Sequence, residues 1–194
     1  MNNQEEKQEK EASGLVLEKL LQSRTIIISG EINQALAEKI TTQLLILQEM
    51  GDQPIKLFIN SQGGHVEAGD TIHDMIKFVK PRVIVIGTGW VASAGITIYL
   101  AVDKQDRYSL PNTRYMIHQP LGGFNGPATD IGIEAEEILR LRKRINSIIS
   151  EATGQSLEKV EKDTDRNYWL NAYEAIDYGI VNQVISKYEE LTDL

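Results

Sequence analysis

Residues 55–64 read IKLFINSQGG and residues 83–95 read VIVIGTGWVASAG. Each is a largely apolar, β-branched run that ends among glycines and small polar residues, the pattern of a buried strand leading into a tight turn. Between them, Val66 to Phe78 carries helical spacing, and Pro81 stops that helix before the second run begins. Strand, glycine turn, helix and strand again make one βαβ unit. Working outward, Thr25–Ser29 (TIIIS) is a β-branched strand. Asn33–Met50 places Leu36, Ile40, Leu44, Leu45 and Ile46 at helical intervals, and Arg114–Ile117 is a further strand that delivers His118. Alternating elements with continuous apolar strands predict an α/β fold whose mostly parallel strands are covered on both faces.

The run from Val83 to Val102 holds no charged residue and has the length of a membrane span. Its glycines, Ser93, Thr88 and Thr97 fit a buried strand, a glycine turn and a buried helix better. After His118, residues 121–127 (LGGFNGP) have no hydrophobic period. A helix of about 25 residues is then expected over Ala128–Thr153, roughly 37 Å long, with its stripe at Ile131, Ile138, Leu141, Ile145, Ile148 and Ile149. That is longer than a domain of this size needs. Two readings stay open, an ordinary surface helix and an arm packing on another subunit. The first 14 residues, MNNQEEKQEKEASG, are polar and lack the apolar stretch of a signal peptide, so a frayed tail and a cytoplasmic protein are expected, with residues 15–194 as one domain.

Composition narrows the function. The 194 residues carry 20 Lys and Arg against 28 Asp and Glu, a net charge of −8, which is the wrong sign for nucleic acid or an anionic membrane surface. The absence of cysteine excludes disulfides, a thiolate nucleophile and Cys-ligated zinc or iron–sulfur clusters. With three histidines and no HExxH, a zinc enzyme is disfavoured and no metal site or other cofactor is expected.

Three features can bear chemistry. Adjacent glycines at 63 and 64 after a strand can turn backbone N–H groups into a cleft, although a tight turn alone would use them too. Ser93 lies at a strand-to-helix turn among small residues. It suits either a helix N-cap or a nucleophile, and it is not the GxSxG elbow, because Val91 occupies the first glycine position. His118 ends a strand before the flexible segment, whereas His65 and His73 read as packing or surface residues. Serine chemistry needs a base and a group that orients the base, and spacing alone does not supply that pairing.

The motifs resemble those of the ClpP family, the serine-protease subunit of the Clp protease. INSQGG is similar to the family's INSPGG, VASAG to its AASMG, and MIHQPLGG is identical; GQSLEKVEKDTDR and YEAIDYGIVNQVI match further along, and Gly64 precedes Ser93 by the family's interval of 29 residues. The similarity runs from about Leu15 to Ser186. It implies a ClpP/crotonase-like spiral of βαβ units with a protruding handle at about residues 121–153, and a serine endopeptidase acting on unfolded polypeptides and short peptides. It also implies a barrel of two stacked seven-subunit rings fed by an AAA+ ATPase, which uses the ATP. By motif, Ser93 is the expected nucleophile and His118 the base, with the N–H groups of Gly64 and Ala94 as oxyanion hole. Asp165 and Arg166 match the pair through which rings touch, and Phe58 and Phe78 match apolar positions near the ATPase docking site.

Two departures matter. The family's DTxRDxF-like stretch reads DTDRNYW here, so the position of the triad aspartate holds Asn167. An amide can orient imidazole but brings no negative charge; at about 5 Å and an effective dielectric near 20 that charge is worth about 3 kcal/mol, or on the order of 10²-fold in rate. Asp163 or Asp165 would replace it only if the loop shifted. The family's axial N-terminal segment is poorly matched, which puts direct ATPase engagement in question. Together these suggest a weak peptidase assisted by a paralogous subunit. The alternatives are a structural or regulatory subunit with vestigial chemistry, and, more remotely, an enoyl-CoA hydratase-like enzyme.

Overall fold

The β-branched runs pair side by side. The computed structural model describes residues 3–191. Strands β1 (Thr25–Ile32), β2 (Ile55–Gly64) and β3 (Val83–Ala92) are parallel neighbours, joined by helices α2 (Gln34–Glu49) and α3 (Val66–Phe78) and preceded by α1 (Asn3–Gln22). Then come α4 (Ala94–Tyr99), β4 (Arg107–Ser109), β5 (Arg114–Ile117), α5 (Ala128–Thr153), α6 (Leu157–Asp163), β6 (Tyr168–Asn171), α7 (Ala172–Tyr178) and β7 (Gln183–Val184). The sheet runs β1-β2-β3-β4-β7, and β5 branches from β3 to pair antiparallel with β6.

The glycines bulge these strands rather than ending them, a correction to the turns expected after Ile59 and Ile86. Register slips between the pairs Ile59–Gly87 and Ser61–Val91, with Gly89 inside the slip at φ 63°. A side chain at Gly89 would strike Asn60 Oδ1. Past the slip, β3 changes partner: Val85–Gly87 pairs with β4, whereas Trp90–Ala92 pairs with β5. That exchange carries the end of β3, and Ser93 after it, over to the end of β5, where His118 follows.

The main core lies between the sheet and α2, α3 and α4, built on Ile26, Ile28, Leu57, Ile59, Val85 and Val91 with Ile40, Leu44 and Ile72 from the helices. The opposite face carries a smaller cluster of Ile84, Ile86, Tyr108 and Ile185, with Phe58 packed against it. The second face is thus more thinly covered than the apolar strands suggest. Phe78 is 72% exposed.

Two further points differ from the sequence reading. The boundary drawn at residue 14 falls inside α1, which runs helical from Asn3 through Gly14, because the Glu, Lys, Gln and Ala of that stretch are good helix formers; residues 1–2 of the expected tail lie outside the described residues. The stripe on α5 is fully buried only toward its end: Ile145 and Ile149 enter the core and Ile131 is 45% exposed, while off the stripe Ile133 and Leu139 are 56% and 61% exposed. Among the described residues, no helix is long and apolar enough to cross a membrane.

Candidate active site

The site assembles at strand ends. β5 and β6 pair Ile117 with Tyr168, so the next residues outward, His118 and Asn167, face each other. His118 Nδ1 lies 3.1 Å from Asn167 Oδ1, and its Nε2 lies 2.8 Å from Ser93 Oγ. The amide oxygen only accepts, so Nδ1 carries the hydrogen and Nε2 is left as the acceptor for the serine hydroxyl. Asp163 is bound to Lys159 and to the Tyr178 hydroxyl, and Asp165 pairs with Arg142, so neither replaces Asn167 beside the imidazole.

Ser93 occupies the cap position of α4, yet its side chain makes no cap bond. The capping reading of this residue is corrected: the hydroxyl turns to His118 instead. Its backbone sits at φ 55°, ψ −122°, outside the ordinary regions for a residue with a side chain, and such conformations cost on the order of 1–3 kcal/mol. The Ser93 N–H donates to the Met116 carbonyl at 3.0 Å, and the Ser93 carbonyl accepts from Ile96 at 2.9 Å. These bonds and the fully buried walls of α4 hold the turn.

The Gly63–Gly64 turn closes against this serine. Gly63 has φ 95°, and a Cβ there would lie 2.6 Å from Ser93 Cβ and 2.7 Å from the Ala92 carbonyl oxygen, while one on Gly64 (φ 154°) would collide with the Ile32 carbonyl. The buried Ser61 hydroxyl shapes the turn, donating to the Gly30 carbonyl at 2.5 Å and accepting from Gly63 N–H at 3.0 Å. Ala94, as the first residue of α4, has no acceptor for its N–H within that helix. An apolar pocket lined by Val66, Ile96, Ile117, Pro120, Ile145 and Ile149 opens beside Ser93 and His118. Among the described residues, no group of three or more His, Asp or Glu is placed to hold a metal.

Residues 7–188 match the family model described as Clp protease. The chain belongs to the Clp protease family. As a Clp protease proteolytic subunit it is a serine peptidase. It is 54% identical over 172 residues to the ATP-dependent Clp protease proteolytic subunit 3 of Rhizobium etli, with 89% of each chain covered. It is 50% identical over 177 residues to subunit 2 of Pseudomonas aeruginosa, covering 91% of this chain and 88% of that one. The solved structure of ClpP1 from Listeria monocytogenes has a TM-score of 0.83 at 62% identity, covering 91% of this chain and 99% of that chain. An asparagine-to-aspartate mutant of the same Listeria protein has a TM-score of 0.85. The spiral α/β architecture is therefore that of the Clp protease subunits.

Of the positions singled out in the sequence, Ser93, His118 and Asn167 come together, and Gly64 and Ala94 flank them. Asp165 and Arg166 lie on the adjoining turn, with Arg166 exposed to solvent. His73 is buried at the other end of α4, with Nδ1 2.7 Å from the Thr97 carbonyl oxygen, and His65 pairs with Glu67 at the surface. Of the two adjacent glycines singled out, Gly63 is the one pressed on Ser93; sequence reasoning missed Gln119. Gln119 stands beside His118, and its side chain does not announce chemistry.

Proposed function

We propose that this subunit is a serine endopeptidase working through Ser93, His118 and Asn167, with low intrinsic activity. The observation that supports it most is the placement of His118 within hydrogen-bond reach of both the serine hydroxyl and the amide oxygen. Ser93 Oγ attacks the scissile carbonyl while its proton passes to His118 Nε2. The resulting oxyanion is taken by the N–H groups of Gly64 and Ala94. Collapse breaks the C–N bond, and His118 returns the proton to the departing amine. Water, deprotonated by the same nitrogen, then releases the acyl group from Ser93. Throughout, Asn167 fixes the imidazole but leaves the imidazolium without a countercharge, hence the low rate.

The exposed apolar first half of α5 supports a handle that is covered by other subunits in two stacked heptameric rings, with Asp165 and Arg166 at the contact between rings. Unfolded chains would be delivered by an AAA+ Clp ATPase in the cytoplasm, and ATP would be consumed there, with no cofactor in this chain. The numbered names of the relatives, subunits 2 and 3, fit a partnership with a paralogous subunit that has a complete triad. The test is hydrolysis of a short fluorogenic peptide together with covalent labelling of Ser93 by a fluorophosphonate, at a fixed particle size. Slow, Ser93-dependent cleavage is expected, with Ser93→Ala silent. An assembled particle that neither cleaves nor labels, alone or mixed with a paralogue, would instead assign the chain a structural role.

A further inference from the structure

Asn167 reaches the imidazole from the short turn at Thr164–Arg166, between α6 and β6. A neutral amide brings no charge attraction to hold that turn in place, so its position has to come from elsewhere. Gln119, the residue after the base, grips the turn twice. Its backbone N–H donates to the Thr164 carbonyl at 2.6 Å, and its side-chain Nε2 donates to the Asp165 carbonyl at 2.7 Å. Pro120 follows, and a residue before proline is held in extended backbone, which keeps Gln119 from turning into a helix and aims both groups at the turn.

We propose that Gln119 is a positioning residue: its side chain sets the separation of His118 from Asn167 and thereby the orientation of the base. The proposal rests on the reading of Ser93, His118 and Asn167 as the reacting site. The contacts close a small ring. Gln119 is bonded covalently to His118, its amide holds Asp165, Asn167 lies two residues on, and Asn167 returns to His118 through the 3.1 Å contact. Movement of the turn is therefore passed directly to the imidazole. Thr164 is fully buried and its hydroxyl lies 2.9 Å from Asn146 Oδ1 on α5 and 2.8 Å from the Val160 carbonyl, so this end of the turn stays anchored without the Gln119 side chain. Past Thr164, Asp165 also forms an ion pair with Arg142 at 3.3 Å, between partly exposed side chains and correspondingly weak, and after Asn167 the pairing of Tyr168 with Ile117 holds the chain. The amide of Gln119 is thus the firmer of the two distant side-chain holds on Asp165, in the stretch between the anchored Thr164 and the paired strand.

The test is a cycle on the assembled particle. Gln119→Met keeps the length and bulk of the side chain and removes the donor, and Gln119→Asn serves as a second variant, one methylene too short to reach. Saturation kinetics of Ser93 labelling by a fluorophosphonate separate the maximal rate from the half-saturating concentration. Loss of one hydrogen bond is expected to lower the maximal rate about five-fold, with the half-saturating concentration unchanged, since Gln119 does not line the apolar pocket. In an Asn167→Ala background, where there is no amide left to position, the same substitution should have almost no effect. An equal loss in both backgrounds, no loss in either, or a change in half-saturation alone would overturn the assignment. Failure of the parent particle to label at Ser93 would overturn the reading of the site itself, a distinct result.

Discussion

Asn167 Oδ1 accepts from His118 Nδ1 at 3.1 Å while the other imidazole nitrogen faces Ser93 Oγ at 2.8 Å. Geometry at this site is complete and charge is not. Orientation needs only an acceptor on Nδ1, which an amide supplies. In the proposed mechanism, stabilising the imidazolium that forms as Ser93 attacks needs a negative charge, which an amide does not supply.

Asn167→Asp restores that charge in nearly the same volume. The expected gain is on the order of 10²-fold in kcat/KM, from about 3 kcal/mol of attraction at roughly 5 Å. It is checked with a fluorogenic peptide on particles of verified size, and Asn167→Asp combined with Ser93→Ala should stay inactive. A gain below two-fold would mean that the missing charge is not what limits the rate.

The elements that position the site differ in how plainly the sequence displays them. Helices α3 and α5 are found at the boundaries their spacing predicts, because both run for several turns with one apolar stripe and end at proline or glycine. β4, β6 and β7 have four residues or fewer, too few for a period of two to register, and all three exist through pairing with strands distant in sequence. Glycine is rare in strand interiors, so the glycine stretches suggest turns. Here neighbouring strands supply partners on both sides, and positive φ angles let β2 and β3 bulge without leaving the sheet. Taken by itself, Ser93 reads as a helix cap before it reads as a nucleophile, since its partner His118 is brought in by the strand exchange at Gly87–Trp90, a tertiary event with no local signature. Gln119 was invisible for the same reason: both carbonyls it holds belong to a turn 45 or so residues away, by the separation of Gln119 and Asp165.

Gly63→Ala should abolish measurable peptidase activity. The added carbon would lie 2.6 Å from Ser93 Cβ, and the backbone there has φ 95°, a conformation that resists a side chain. Either the glycine turn or Ser93 must move, and a displacement of about 1 Å at the nucleophile costs on the order of 10²-fold. Circular dichroism should remain that of the parent, so labelling of Ser93 at the parent rate would show that the turn yields instead.

Ile133→Glu and Leu139→Glu probe the handle. Both side chains are more than half exposed in the single chain, so the thermal stability of the isolated subunit should change by less than about 0.5 kcal/mol. In a particle whose subunits cover the first half of α5, a carboxylate at either place is buried without a partner, and the assembly should fall apart into rings or smaller species on analytical ultracentrifugation. Unaltered particles from both variants would leave α5 an ordinary surface helix.

Alkaline titration reads the core directly. Burial pushes the Tyr115 phenol up to about 12, and it raises Tyr99, Tyr108 and Tyr178 as well; for Tyr178 the hydrogen bond to the Asp163 carboxylate adds to the effect of burial. Tyr99 donates to the Tyr108 carbonyl at 2.7 Å, within the layer between α4 and the sheet. A group whose folded value lies above its unfolded one contributes stability that is fully present below the unfolded value, about 10 for tyrosine. That contribution is lost as pH climbs through 10 toward 12. Tyr99 and Tyr115 should therefore ionise only well above pH 10. Their phenolate absorbance is expected to rise steeply only as the far-ultraviolet circular dichroism collapses. Ionisation of Tyr99 and Tyr115 near pH 10 with the fold intact would show that both are reachable by water, and that the layer beneath Ser93 is looser than the packing around α4 requires.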